Sequence, residues 1–118
     1  MSDHFTDPLV IALESAALAL PEVTETGACL RRAFKVKTKG FVYLGQKPDE
    51  ISVMVKLGPS IPAAEALAAQ RTEIVVGKGR WVTIKLAPGA SLAGADLDSW
   101  LRESYREQAP AKLADLVQ

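Results

Sequence analysis

Residues that carry metal or redox chemistry are scarce in this chain. There is one cysteine, Cys29, and one histidine, His4. A lone cysteine closes no internal disulfide. A zinc site needs three or four suitably spaced ligands, and neither residue has company for that. No metal or other cofactor is therefore expected. The same scarcity weakens the case for an enzyme. Cys29 with His4 is the only thiol–imidazole pair that can be drawn, and no Gly-x-Ser-x-Gly elbow is present. Phosphate-binding loops are also missing when checked residue by residue. Gly40 and Gly45 have the spacing of a P-loop, but Gln46 and Lys47 follow where Lys and Ser or Thr belong. Gly77 and Gly79 lack a third glycine, and a strand pattern follows them in place of a helix.

Long hydrophobic runs are absent too. The longest, Leu9 to Leu20, is interrupted by Glu14 and Ser15 and stopped by Pro21, well short of a membrane span. Asp3 and Asp7 precede the first basic residue, Arg31. A secretory leader needs a positive start, so none is expected, and the cytoplasm is the expected compartment.

What is present is ordinary globular material: 118 residues, 48% hydrophobic and 24% charged. That size closes one core, so residues 1–118 are expected to form a single domain. The net charge is zero, but its distribution is uneven. Residues 1–28 hold five acids and no Lys or Arg, whereas residues 29–86 hold eleven basic residues against four acidic ones. A neutral total thus conceals a basic middle.

The pattern predicts helices at both ends. Asp7 and Pro8 suit the cap and first position of a helix, and Leu9, Leu13, Ala16, Ala17 and Leu20 form its stripe. A second long helix is expected from about Ala95 to Ala109, with Leu97, Trp100, Leu101, Ser104 and Tyr105 on one face. Asp96 and Asp98 fit its first turn. A further short helix is expected after Pro110. Between the ends the period falls to two. Ala33–Lys37 and Phe41–Leu44 read as a hairpin around Thr38-Lys39-Gly40. Ile51–Leu57 alternates as a half-buried strand. Ile61–Ala69 reads as a short Ala-rich helix. Thr72–Val76 and Trp81–Leu86 read as a second hairpin around Gly77–Arg80. The fold class is α+β: an antiparallel sheet with helices packed on it, and N- and C-terminal helices bracketing two hairpins.

The basic cluster is the most suggestive feature. Arg31, Arg32, Lys35, Lys37 and Lys39 fall within nine residues with no acid among them. On one strand, Lys35, Lys37 and Lys39 would share a face. Lys78, Arg80 and Lys85 belong to the other hairpin. Neighbouring hairpin tips would make one positive rim suited to phosphates; a solvated face kept charged against aggregation is the plainer alternative. Trp81 shares a face with Thr83 and Lys85, opposite the aliphatic one, where it either stacks on a base or packs under a helix. Gly77–Arg80 is either a turn needing positive φ or a turn whose N–H groups hold an anion.

Several short words occur in a telling order: Leu18-Ala19-Leu20-Pro21, Ala33-Phe34-Lys35-Val36, Gly77-Lys78, Trp81-Val82, Glu103-Ser104-Tyr105-Arg106 and Ala109-Pro110-Ala111-Lys112. In these the chain resembles the MmcQ/YjbR family from about Leu9 to Leu113. The resemblance implies a CyaY-like fold and a DNA-binding role through two hairpin wings. Two departures stand out. Cys29-Leu30-Arg31-Arg32 replaces a stretch that commonly bears aromatics and His, and Arg80 replaces the Gly usual before the Trp. Helix 1 carries one acid, Glu14, so iron binding is not carried over.

The leading expectation is a small cytoplasmic protein binding nucleic acid through Arg31, Arg32, Lys35, Lys37, Lys78, Arg80 and Trp81. The alternative is a protein-interaction or small-molecule-binding module without catalytic activity, homodimeric through the apolar first helix. No membrane association is expected.

Overall fold

The structure is a computed structural model and describes residues 5–28, 31–90, 92 and 94–117. His4 and Cys29 lie outside the described residues.

Helix α1 spans Pro8–Leu18. The Asp7 carboxylate starts it, accepting from the N–H groups of Leu9 at 2.9 Å and Val10 at 3.4 Å. The other Asp7 oxygen accepts from Gly89 N–H at 2.8 Å, so one buried acid caps a helix and anchors a distant loop. Val10, Leu13 and Ala17 are the buried positions. The buried stripe therefore starts one residue later than the one drawn from Leu9, which sits on its flank with Ala16.

Six strands follow: β1 (Val23–Ala28), β2 (Arg31–Val36), β3 (Lys39–Lys47), β4 (Glu50–Lys56), β5 (Ile74–Val76) and β6 (Trp81–Leu86). Helix α2 (Ile61–Ala68) separates β4 from β5, and α3 (Leu97–Gln108) and α4 (Ala111–Ala114) close the chain. The strands form one sheet in the order β1-β2-β3-β4-β6-β5, antiparallel throughout. Both expected hairpins are present, as β2–β3 and β5–β6. The sheet adds β1, which the sequence pattern did not announce. Val23 is its only large apolar residue, because β1 lies at the sheet edge and joins through its backbone.

The β2–β3 turn is Lys37-Thr38, both with positive φ (49° and 73°). Two left-handed central residues are what a tight hairpin requires, so the turn lies earlier than the expected Thr38-Lys39-Gly40. Lys35, Lys37 and Lys39 accordingly do not share one strand face: β2 ends at Val36 and β3 begins at Lys39. The residue gained is absorbed by a bulge. Phe34 pairs with Val42 and Lys35 with Gly40, so Phe41 has no partner across the ladder. Phe41 and Val42 are consequently both fully buried.

All of the core lies on one face. Phe34, Val42, Val55 and Val82 are opposite one another across β2, β3, β4 and β6, as are Leu44, Val53 and Ile84 across the last three. Helices α1 and α3 cover this face. Helix α2 packs along β5, and its Leu67 fills the space beside Gly94, ahead of α3. The shortest dimension of the molecule is 21 Å. That is one sheet and one helical layer, and among the described residues the other face of the sheet carries no helix.

Three consecutive residues of α3 hold the layers together. Glu103 is buried and accepts from Gly58 N–H at 2.8 Å, Ser60 N–H at 2.9 Å and the Ser60 hydroxyl at 2.7 Å. Ser104 donates its hydroxyl to the Phe41 carbonyl and accepts from Lys56 N–H at 2.8 Å. Tyr105 donates to the Pro21 carbonyl at 2.6 Å and meets the Phe41 ring edge-on at 5.3 Å. One turn later the Gln108 amide donates to the Gly40 carbonyl at 3.0 Å.

Burial alone would raise the Glu103 pKa. The Ser60 hydroxyl, then the Ser60 and Gly58 N–H groups and the Arg106 charge, outweigh that effect and hold the carboxyl below its ordinary value. A depressed folded-state pKa contributes stability above the unfolded pKa, and that contribution fades as pH falls through the folded value. Glu103→Gln should therefore cost about 1–3 kcal/mol at neutral pH. Urea unfolding checks this: the deficit should shrink in acid, and an equal deficit at both pH values would contradict the assignment. A second expectation concerns the β2–β3 turn. Thr38 is β-branched and left-handed, so Thr38→Gly should raise stability by roughly 0.5–1 kcal/mol, read as a higher urea midpoint at unchanged m-value.

Candidate nucleic-acid interface

The register of the sheet lays out the helix-free face as rows. Nearest the β3–β4 turn, Lys47 faces Glu50. The next row is Arg31, Gly45, Ser52 and Lys85, across β2, β3, β4 and β6. After it comes Ala33, Tyr43, Met54 and Thr83, extended onto β5 by Val75. At the far end Lys56 faces Trp81, and Lys35 lies on β2 beside Gly40. A neutral row carrying an aromatic side chain thus runs between two rows that carry cations. Thr24 and Thr26 of β1 pair with Lys35 and Ala33 and widen the surface.

Tyr43 and Trp81 meet on this face with ring centroids 5.7 Å apart at 62°. Gly40 is what lets Tyr43 lie down. A Cβ there would stand 2.2 Å from the Tyr43 hydroxyl. Tyr43 remains 36% exposed, and Trp81 is half-buried. A groove of about 380 Å³ crosses the rows, bordered by Arg31, Tyr43, Met54, Thr83 and Lys85.

The residues expected at the site separate into three groups. Arg31, Lys35 and Trp81 belong to the helix-free face, as the register places them. Arg32 shares the opposite face with Leu44, where it is ion-paired with Glu25, both side chains about one-fifth exposed. Lys37, Lys78 and Arg80 lie at the tips of the two hairpins. The tips are at the same end of the sheet, because Val42, Val55, Val82 and Val76 align across it. Two of the three tip cations have partners. Lys37 pairs with Glu22 at 2.6 Å and Arg80 with Glu107 at 3.0 Å. The Glu22 hydrogen bond and then its charge raise the Lys37 pKa. Both Lys37 and Glu22 are over half exposed, so this pair constrains the tip only weakly. Lys78 is exposed in a short 3-10 turn, Lys78–Arg80, that contains two left-handed residues, Gly79 (φ 68°) and Arg80 (φ 65°).

Sequence reasoning did not place Tyr43 on this face. It also left Lys47 and Lys56 out of the basic surface, and grouped Lys85 with the hairpin tips. Lys85 is at the opposite end of β6 from its turn. The signal lay in strand register, which links residues far apart in sequence.

Among the described residues no three His, Cys, Asp or Glu side chains come together as metal ligands. No helix among them is long and apolar enough to cross a membrane. On α1, Ile11 and Leu18 are exposed on the side turned from the sheet.

Comparison with curated proteins and with solved structures gives no match. A family model described as YjbR matches residues 18–107. The matched span opens at the last residue of α1 and closes in the last turn of α3. It therefore includes the whole sheet, the Glu103-Ser104-Tyr105 contacts and every row of the helix-free face, and the chain belongs to the YjbR family.

Proposed function

We propose that the protein binds single-stranded nucleic acid on the helix-free face of its sheet, without catalysing a reaction. The observation that carries this reading is the register. It brings Arg31, Lys35, Lys56 and Lys85 from three strands onto one surface, around Tyr43 and Trp81. Among the described residues none of these four cations has an ion-pair partner, whereas Arg32, Lys37 and Arg80 each have one. Phosphates are attracted by cations regardless of sequence. Unstacked bases find aromatic rings on an open sheet, a mode of recognition that duplexes cannot use because their bases are already stacked. Membership of the YjbR family is compatible with this reading and does not by itself specify a ligand.

The hairpin tips are secondary in this proposal. Lys78 and the loosely held Lys37 and Arg80 would extend the positive field beyond the sheet and favour encounter more than placement. DNA and RNA are both covered; the sheet face has no feature that selects between them.

Fluorescence anisotropy with a short labelled oligonucleotide tests the proposal. Single strands should bind more tightly than the matching duplex. Affinity should fall linearly with salt on logarithmic axes, and each of Lys35→Gln, Lys56→Gln and Lys85→Gln should reduce the slope by about 0.7. Tyr43→Ala and Trp81→Ala should each cost about 1–3 kcal/mol of binding. Equal loss from Lys78→Gln with none from the sheet variants would move the interface to the tips. Absence of binding at low salt would refute the proposal.

A homodimer is the alternative partner, favoured by exposed Ile11 and Leu18, about two turns apart on one stripe of α1. Sedimentation velocity checks it: a single monomeric species at high concentration removes it.

A further inference from the structure

Two depressions meet on the helix-free face, sharing Arg31, Gly45, Ser52 and Lys85. One is the groove beside Tyr43. The other holds about 260 Å³ and lies at the β3–β4 end, with Lys47 and Glu50 in its wall. Side-chain size along one row explains it. Gly45 and Ser52 occupy the two middle strands, while Arg31 and Lys85 stand on the strands either side. A saddle forms where the small residues are. Three long cations border it, and the Ser52 hydroxyl is a donor at its floor. Among the described residues, Arg31, Lys47 and Lys85 have no ion-pair partner.

The hollow also lies at the end of the sheet. Beyond it the chain turns through Pro48 and Asp49, and Glu50 faces Lys47 across the last rung of the ladder. An internal phosphodiester carries one negative charge and must continue in both directions. To continue it would have to pass Glu50, which lies in the wall of the hollow. A terminal phosphomonoester continues in one direction only, and near neutral pH it carries close to two charges. Three cations and a hydroxyl, against the one Glu50 carboxylate in the same wall, leave a net positive hollow that matches the second species in charge and in shape.

We propose that the hollow between Arg31, Lys47 and Lys85 is an anchor for a terminal phosphomonoester of a nucleic-acid strand. The strand lies along the groove with its phosphorylated end at the β3–β4 turn. Its bases reach Tyr43 from the neighbouring row. This assignment rests on the nucleic-acid reading of the same face and adds the end preference to it.

The test compares one single-stranded oligonucleotide carrying a phosphate at its 5′ end, at its 3′ end or at neither, by anisotropy at fixed salt. A phosphate at one of the two ends should tighten binding on the order of tenfold. Lys47→Gln and Ser52→Ala should each remove most of that advantage. Ser52→Ala, which removes no charge, should leave the unphosphorylated oligonucleotide within about twofold of its original affinity, since a charge-assisted contact to the extra phosphate is what it deletes. If all three oligonucleotides bind equally, or if the preference survives both variants, the end anchor is wrong and the sheet-face interface stands. If no oligonucleotide binds, both fall together. Inorganic phosphate serves as the last arm. Should it abolish the end preference at concentrations equal to those of the oligonucleotide, the hollow is a general anion site and the end anchor is overturned.

Discussion

The contacts from three successive residues of α3 to three separate parts of the chain are the constraint on which the architecture depends. Glu103 holds the loop between β4 and α2, Ser104 ties β3 to the end of β4, and Tyr105 reaches the turn between α1 and β1. Apart from the Ser60 hydroxyl, each contact ends on a backbone group, and buried backbone groups without partners are costly. The result is a helix fixed in rotation as well as position. With α3 fixed, Phe41 is driven inward by its contact with the Tyr105 ring. Phe41 can point inward only because the ladder bulges there, and the bulge in turn sets the register of the rest of β3.

That register also decides what the opposite face looks like. Residues of one strand alternate between faces, so a shift of one position would exchange core and surface. In the observed register the acids Glu25, Glu103 and Glu107 lie with the helices, while Arg31, Lys35, Lys56 and Lys85 lie on the bare side. A molecule with no net charge is thereby polarised across its thin dimension. Electrostatics on this scale follows local charges and not their total. The same packing that builds the core creates the basic surface, without any separate functional element.

Much of the fold was legible because strong local signals survive folding. Asp7-Pro8 started α1, Val82, Ile84 and Leu86 marked β6 by period two, and Pro110 ended α3 where the pattern said it should. Strand β1 was not legible, since an edge strand held by backbone pairing needs no apolar alternation. The layout of the candidate site was only half legible for a related reason. Period two puts Phe41 and Tyr43 on the same face; the bulge separates them, sending Phe41 into the core and leaving Tyr43 outside. Clustering in sequence also misled. Arg31 and Arg32 are neighbours in the chain and face opposite sides of the sheet, whereas Arg31 and Lys85, fifty-four positions apart, border the same groove. Pairing between distant strands is not written in either segment alone.

The two tryptophans are distributed with consequences for observation. Trp100 is 5% exposed on α3, inside the core, while Trp81 lies half-buried on the bare face beside Tyr43. Indole emission depends on what surrounds the ring, so the chain carries two optical reporters in different places. Whatever settles on the sheet surface alters the surroundings of Trp81 and leaves Trp100 sealed. Loss of the packed core changes Trp100 as well. A phenylalanine at either position would isolate the other signal and separate occupancy of the surface from integrity of the interior within a single emission spectrum.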